Sequence, residues 1–356
     1  MKPMTTRERM LRIYQKKEID RVPMIDSPWA GPLRRWQEEG LPAGVDWQDY
    51  FDFDKVARIR PDNSPRHPAR IIEKTDRYVV ETTPWGQTWR NFNVPDSTPE
   101  ALSFYYSTPE RWEEAKARML TDYEDRIPWD TLKNNYDKWR AEGRFLQLIV
   151  WFGFDVTHSR MVGTENMLIA MYEDPDWVTD MFETYLTTSL NQCQKILDAG
   201  YQFDGIIWYD DMGYKGAPFF SPTLYRELLM PYHKRAVDWA HERGLYTELH
   251  SCGFIEPLLP DVVSTGVEML NPLEVKAGMD PARLKKLYGD KLAFHGGINA
   301  QIWDKPALVR AEMERIIPMM KEGGGYVFAS DHTIPNSVSF EDMKMISELA
   351  HKLGTY

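Results

Sequence analysis

The sequence predicts an α/β protein, a (β/α)8 TIM barrel with N-terminal helical and β-hairpin elaborations. Three observations predict it. Short apolar runs recur eight times along the chain. Most of them lead into a segment with helical apolar spacing. Residues of catalytic type gather at the downstream ends of the runs, where a barrel places its chemistry. The 356 residues fit one such domain.

Thr5 or Thr6 caps a helix running to about Lys17, with Met10, Leu11, Ile13 and Tyr14 at helical spacing. The first strand is 21–26, followed by Pro28. A weaker pattern at 55–60 gives the second; without it the reading becomes a doubly wound open sheet. Residues 74–92 alternate around Thr83-Pro84-Trp85-Gly86 and read as an inserted hairpin. Residues 108–142 are helical and charged. From 145 onward the alternation is regular. Strands at 145–152, 204–210, 245–251, 267–272, 291–296 and 326–331 alternate with helical segments. These segments include 164–173, 175–199 and 221–244, the last with Ser221 as cap, Pro222 at its first position and Gly244 as its stop. Pro318 marks a kink in the penultimate helix. Gly323-Gly324-Gly325 reads as the turn ending that helix, and no nucleotide-binding glycine fingerprint occurs.

Lys and Arg number 43 against 54 Asp and Glu, a net charge of −11 that argues against nucleic acid as a partner. No apolar run approaches the roughly 18 residues a membrane span needs. The N-terminal segment is charged throughout and lacks the apolar centre of a secretory signal. Two cysteines, Cys193 and Cys252, make no disulfide framework and point to reduced thiols in a cytoplasmic protein.

The sharpest local feature is His250-Ser251-Cys252-Gly253. Residues i and i+2 of a strand share a face, so imidazole and thiol can both point into the mouth. Zinc favours both groups, and a catalytic zinc takes three protein ligands and leaves one position open. The best third ligand is His332, ending the last strand; His295 is second. The blander alternative makes Cys252 core filler and His250 a satisfied loop histidine. Cys193, inside a helical segment, reads as filler. Asp210 and Asp211 follow an apolar strand and cannot both face inward; one is a general acid/base or substrate anchor, the other a cap. His295 stands beside Gly296 and Gly297, whose backbone can approach an anion. Asp26, His158, Asn271 and Glu274 also fall at strand ends as pocket-lining candidates. Trp29 and Trp151 lie there too and suit a flat aromatic or ring-shaped ligand.

Together, residues 5–23 (TTRERMLRIYQKKEIDRVP), 250–253 (HSCG), 266–274 (GVEMLNPLE), 284–299 (LKKLYGDKLAFHGGIN) and 323–335 (GGGYVFASDHTIP) resemble the uroporphyrinogen decarboxylase superfamily. The resemblance implies a (β/α)8 barrel and a homodimer. One branch of that superfamily decarboxylates tetrapyrrole carboxylates without a metal, using an N-terminal arginine segment; here that place reads Asp26-Ser27-Pro28-Trp29. The other branch transfers methyl groups to or from a corrinoid (cobalamin) carried by a partner protein. It binds zinc through an HxCG motif after the fifth strand and a cysteine after the eighth. His250 and Cys252 match the motif, whereas His332 stands at or beside the place of the missing cysteine. The resemblance therefore implies a zinc-dependent, corrinoid-linked methyltransferase acting on a methoxylated or other methylated small molecule. A metal-free decarboxylase and a tetrapyrrole- or corrinoid-binding protein are the alternatives.

Overall fold

The computed structural model describes residues 3–94 and 97–356. The chain opens with helix Thr6–Tyr14, whose N-cap Thr5 exchanges hydrogen bonds with Glu8 in a capping box. Its apolar face carries Met10, Ile13 and Tyr14 against Phe145, Met269, Ala293 and Val327, at or near the starts of barrel strands. Tyr14 stacks on Tyr246 at 4.6 Å and on Phe145 at 5.8 Å. This helix therefore plugs the bottom of the barrel, and the top is left for chemistry.

Thirteen strands follow among the described residues. β1 is Val56–Ile59. An inserted antiparallel sheet comprises β2 Arg70–Lys74, β3 Tyr78–Thr82, β4 Gln87–Phe92 and β5 Glu100–Phe104, in that order. β6 is Phe145–Val150 and β7 Gly205–Tyr209. β8 Gly213–Tyr214 and β9 Ala217–Pro218 form a small hairpin. β10 Tyr246–His250, β11 Met269–Asn271, β12 Ala293–His295 and β13 Tyr326–Val327 complete the set. The main sheet is parallel and runs β1-β6-β7-β10-β11-β12-β13.

The expected first strand, 21–26, forms no ladder but bridges the two edges of that sheet. On one side Met24 pairs with Phe328 in a parallel bridge, and Ile25 N donates to Phe328 O at 3.0 Å. On the other, Asp54 N donates to Met24 O at 2.8 Å, just before β1. Pro23 has no N–H to give, so this eighth position pairs only sporadically. The weak pattern at 55–60 is a true barrel strand.

The hairpin expected at 74–92 is the centre of a larger sheet. Its turn lies at the expected Thr83–Gly86, but β2 and β5 flank it. All five residues of β2 are exposed, so that strand carries no alternation to read. The helical region 108–142 divides into Pro109–Leu120 and Trp129–Ala141. The stretch expected as one helix over 221–244 breaks into Pro222–Leu224, a wide π turn at Tyr225–Leu229, and Met230–His241. Pro318 lies inside helix Pro306–Lys321, which continues through it. No helix among the described residues is long and apolar enough to cross a membrane.

The barrel interior holds a polar layer. Glu248 accepts from Gln147 Nε2 at 2.7 Å and faces His295 Nδ1 at 2.8 Å, while Gln147 Oε1 accepts from Arg58 Nε at 3.0 Å. Burial alone would raise the Glu248 pKa, but the His295 hydrogen bond and charge, with Arg58 and Gln147, hold it down to about 2. A carboxyl depressed in the folded state stabilises above its ordinary value of 4.5, and that contribution fades as pH falls towards 2. Glu248→Gln is expected to flatten the stability profile across this window. Urea midpoints of both proteins between these pH values give the check; parallel slopes would contradict it.

Candidate functional site

Three strand ends meet on one side of the mouth. The register sets Tyr209 opposite His250 and His250 opposite Asn271. His250 Nδ1 lies 2.5 Å from Asn271 Oδ1, and Asn271 Nδ2 donates to His295 O at 3.1 Å. The second bond orients the amide, so its oxygen faces His250 and accepts from Nδ1–H. That leaves Nε2 as the nitrogen able to ligate a metal. Nε2 is 3.4 Å from Cys252 Sγ and 3.8 Å from Asp211 Oδ1. The same Asp211 oxygen accepts from Cys252 N at 2.7 Å. Glu274 Oε2 accepts from Gly253 N at 2.5 Å and fixes the turn behind the thiol.

Donor atoms of Asp211, His250 and Cys252 all lie within 4.8 Å of one another. No other His, Cys, Asp or Glu group among the described residues is so placed. Burial, then the charges of Asp211 and Glu274, push the Cys252 thiol well up. A cation here would displace that proton and relieve the crowded negative charge. One sulfur, one nitrogen and one oxygen around an open side suit a three-ligand zinc site. A cavity of about 320 Å³ opens onto the cluster, lined also by Asp26, Trp29, Arg58, Tyr209, Asn271, His295 and His332.

The structure divides the remaining sequence candidates. His332 lines the cavity but is exposed and stands outside the donor cluster; Asp211 takes the third place there. Asp210 points the other way and is fully buried. Its Oδ2 meets His233 Nε2 at 2.8 Å, and its Oδ1 accepts from Asp155 N at 2.7 Å. His295 is buried with both ring nitrogens against oxygens, those of Glu248 and Ile25 O. Asp26 lines the cavity and accepts from Ser27 N and Ser330 N, each at 2.7 Å; burial raises its pKa. Trp29, exposed, lines both this cavity and a neighbouring one of about 530 Å³. Glu274 positions the turn, and its other oxygen is 3.4 Å from Lys276 Nζ.

His158 lies apart from the cavity lining. Its ring stacks on Phe154 at 4.4 Å, Nδ1 is 3.0 Å from Thr164 Oγ1, and burial pushes its pKa down to about 4. Trp151 donates Nε1–H to Asp155 Oδ2 at 2.8 Å. Sequence reasoning missed Asp155. Burial and the nearby Asp211 charge push it up to about 8. Its place just after an apolar strand, in Gly153-Phe154-Asp155, was the available signal. Cys193 is fully buried in helix Pro175–Asp198, where burial pushes its thiol up to about 12.

The sequence profile of the uroporphyrinogen decarboxylase (URO-D) family matches residues 156–353. The chain belongs to this family. No curated protein matches this URO-D family member. Among solved structures, it resembles a methyltransferase from Methanosarcina mazei. The TM-score is 0.67 at 17% identity, over 98% of this chain and 99% of that one. An N-acetyl-D-glucosamine-6-phosphate deacetylase from Mycobacterium smegmatis overlaps 80% of this chain and 72% of its own, at 10% identity and a TM-score of 0.25.

In this URO-D family member the glycine of the HxCG turn is structurally required. Gly253 has φ +81°, and a Cβ there would lie 2.2 Å from the Gly213 backbone. Gly253→Ala must therefore strain the turn or displace Cys252. We expect a stability loss of at least about 1–2 kcal/mol from the left-handed backbone alone, measured by urea denaturation. An unchanged midpoint would contradict this.

Proposed function

We propose that this URO-D family member is a zinc-dependent methyltransferase. It moves a methyl group between a methoxylated or otherwise methylated small molecule and a corrinoid carried by a partner protein. The observation that carries the reading is the Asp211–His250–Cys252 donor cluster opening onto the barrel mouth. The family membership and the methyltransferase neighbour, which shares the fold, support it.

His250, Cys252 and Asp211 would hold the metal, with Asn271 fixing the imidazole and Glu274 the turn. Zinc in this place supplies a Lewis acid that makes a substrate heteroatom a better leaving group or a better nucleophile. Asp155, whose carboxyl burial pushes up, would supply a proton to the oxygen that loses the methyl group. Tyr209, its ring 4.8 Å from that of His250, and Trp29 wall the substrate space. His332 sits at the rim, where it can contact substrate or the corrinoid face.

The test is metal analysis of the purified protein, then incubation of cob(I)alamin with methoxylated aromatic compounds while following methylcobalamin by its absorbance. About one zinc per chain is expected, with methylcobalamin formed from at least one compound. Metal-free protein that releases carbon dioxide from a porphyrinogen would replace this reading with the decarboxylase.

A further inference from the structure

We propose that Arg60 and Arg160 form an anion subsite beside the donor cluster, and that the methylated substrate carries a carboxylate. The inference rests on reading this mouth as the substrate site of a methyl transfer.

Both guanidinium groups lie over one indole, that of Trp151, at 4.6 Å and 5.7 Å from the ring centroid. Arg160 also lies 5.6 Å from the Trp89 ring. Stacking accounts for one cation on an aromatic face; it does not account for gathering two like charges around the same ring. No carboxylate oxygen among the described residues is within 4.0 Å of either guanidinium. The hydrogen bond of Arg160 to Gln87 Oε1 is long, 3.5 Å, and its buried Nε has no partner. Asp155 is the acid whose charge acts on Arg160, but its Oδ2 is taken by Trp151 Nε1–H. A partly buried charge is normally paired, and here Arg160 is left without an acid partner beside the exposed Arg60.

The pair is also well placed. Arg60 follows β1 and Trp151 follows β6, neighbouring strands of the barrel wall. Going round the rim, β7 comes next with Tyr209, then β10 with His250. Two strand spacings separate Trp151 from His250, roughly 10 Å, which is the scale of a small aromatic acid. A guanidinium fork matches a planar carboxylate with two parallel hydrogen bonds. A carboxylate held there would aim the far end of the molecule at Asp211, His250 and Cys252.

Calorimetric titration with benzoate and its neutral isostere benzamide tests this. Wild type is expected to bind benzoate about tenfold or more tightly than benzamide. Arg60→Gln and Arg160→Gln should each abolish that preference while leaving benzamide binding and zinc content as they were, which also verifies folding. Equal binding of the two probes by wild type, or a preference that survives both substitutions, overturns the subsite and reduces the pair to an aromatic stack. No benzoate binding at millimolar concentration overturns it too. The double variant His250→Ala/Cys252→Ala separates the two readings, because it removes metal ligands and keeps both arginines. It should retain the benzoate preference; losing it would tie anion binding to the metal and overturn the arginine assignment. Wild-type protein that lacks zinc yet prefers benzoate would overturn the methyl-transfer reading alone.

Discussion

His250→Ala and Cys252→Ala are each expected to empty the metal site and to lower methyl transfer by more than about a hundredfold. Loss of a supporting residue alone typically costs ten- to a hundredfold in affinity or activity, and these two residues supply the donor atoms themselves. Neither change should unfold the protein, because both side chains line the cavity and neither belongs to the apolar core. Asp211→Asn and His332→Ala decide the third donor. The Asp211 oxygen belongs to the tight cluster, and the exposed His332 does not. Asp211→Asn should therefore weaken zinc binding strongly, and His332→Ala should leave zinc content unchanged. Competition with a zinc chelator reads both, and the reverse order would return the third place to His332.

The second large effect belongs to stability. His233→Ala is expected to cost about 3 kcal/mol, as losing one partner of a buried charge pair does. Asp210 and His233 are both buried, and Tyr225 Oη, 2.9 Å from His233 Nδ1, completes the chain. Burial raises the Asp210 pKa and His233 opposes that rise, so without the imidazole the carboxyl must take up a proton or go unpaired. Gly153 packs closely on the other side of the carboxylate, where a Cβ would sit 2.3 Å from Asp210 Oδ2. Asp210 N also donates to His250 O at 2.8 Å, so the pair braces the strand end that carries the donor cluster. Urea denaturation measures the loss, and zinc content should remain. A small change in midpoint with complete loss of activity would instead give Asp210 a direct part in the chemistry.

The legible parts of the sequence were those written in local pattern. His250 and Cys252 could be paired from the two-residue period of a strand, with no knowledge of what lies across the barrel. The adjacent acids showed that one must turn inward but not which one. That choice depends on His233, far along the chain, which gives Asp210 a buried partner and leaves Asp211 for the mouth. The place of Asp211 beside His250 and Cys252 was missed for the same reason. His332 lies only a few residues beyond β13 and lines the same cavity, but its exposed ring stands outside the donor cluster. The inserted sheet was legible at its turn alone, because exposed strands such as β2 carry no apolar alternation. Arg60 and Arg160 stand among several arginines available to a carboxylate, but their pairing could not be read, because they belong to separate segments and meet only around Trp151.

The inserted sheet has one more consequence. Its turn residue Trp85 packs edge-on against Trp151 at 5.1 Å, and Gln87 Nε2 donates to Ser159 O at 2.8 Å. It thus roofs the rim above β1 and β6 and leaves the side of Trp29 and His332 uncovered. The chain departs from the barrel after β1 and returns at β6, and those two strands are hydrogen-bonded neighbours. Departure and return share a single seam. The roof can lengthen, shorten or change its side chains without altering the register of any barrel strand. The inserted sheet at the rim and the donor residues below it are therefore separate stretches of chain, and a change in one need not move the other.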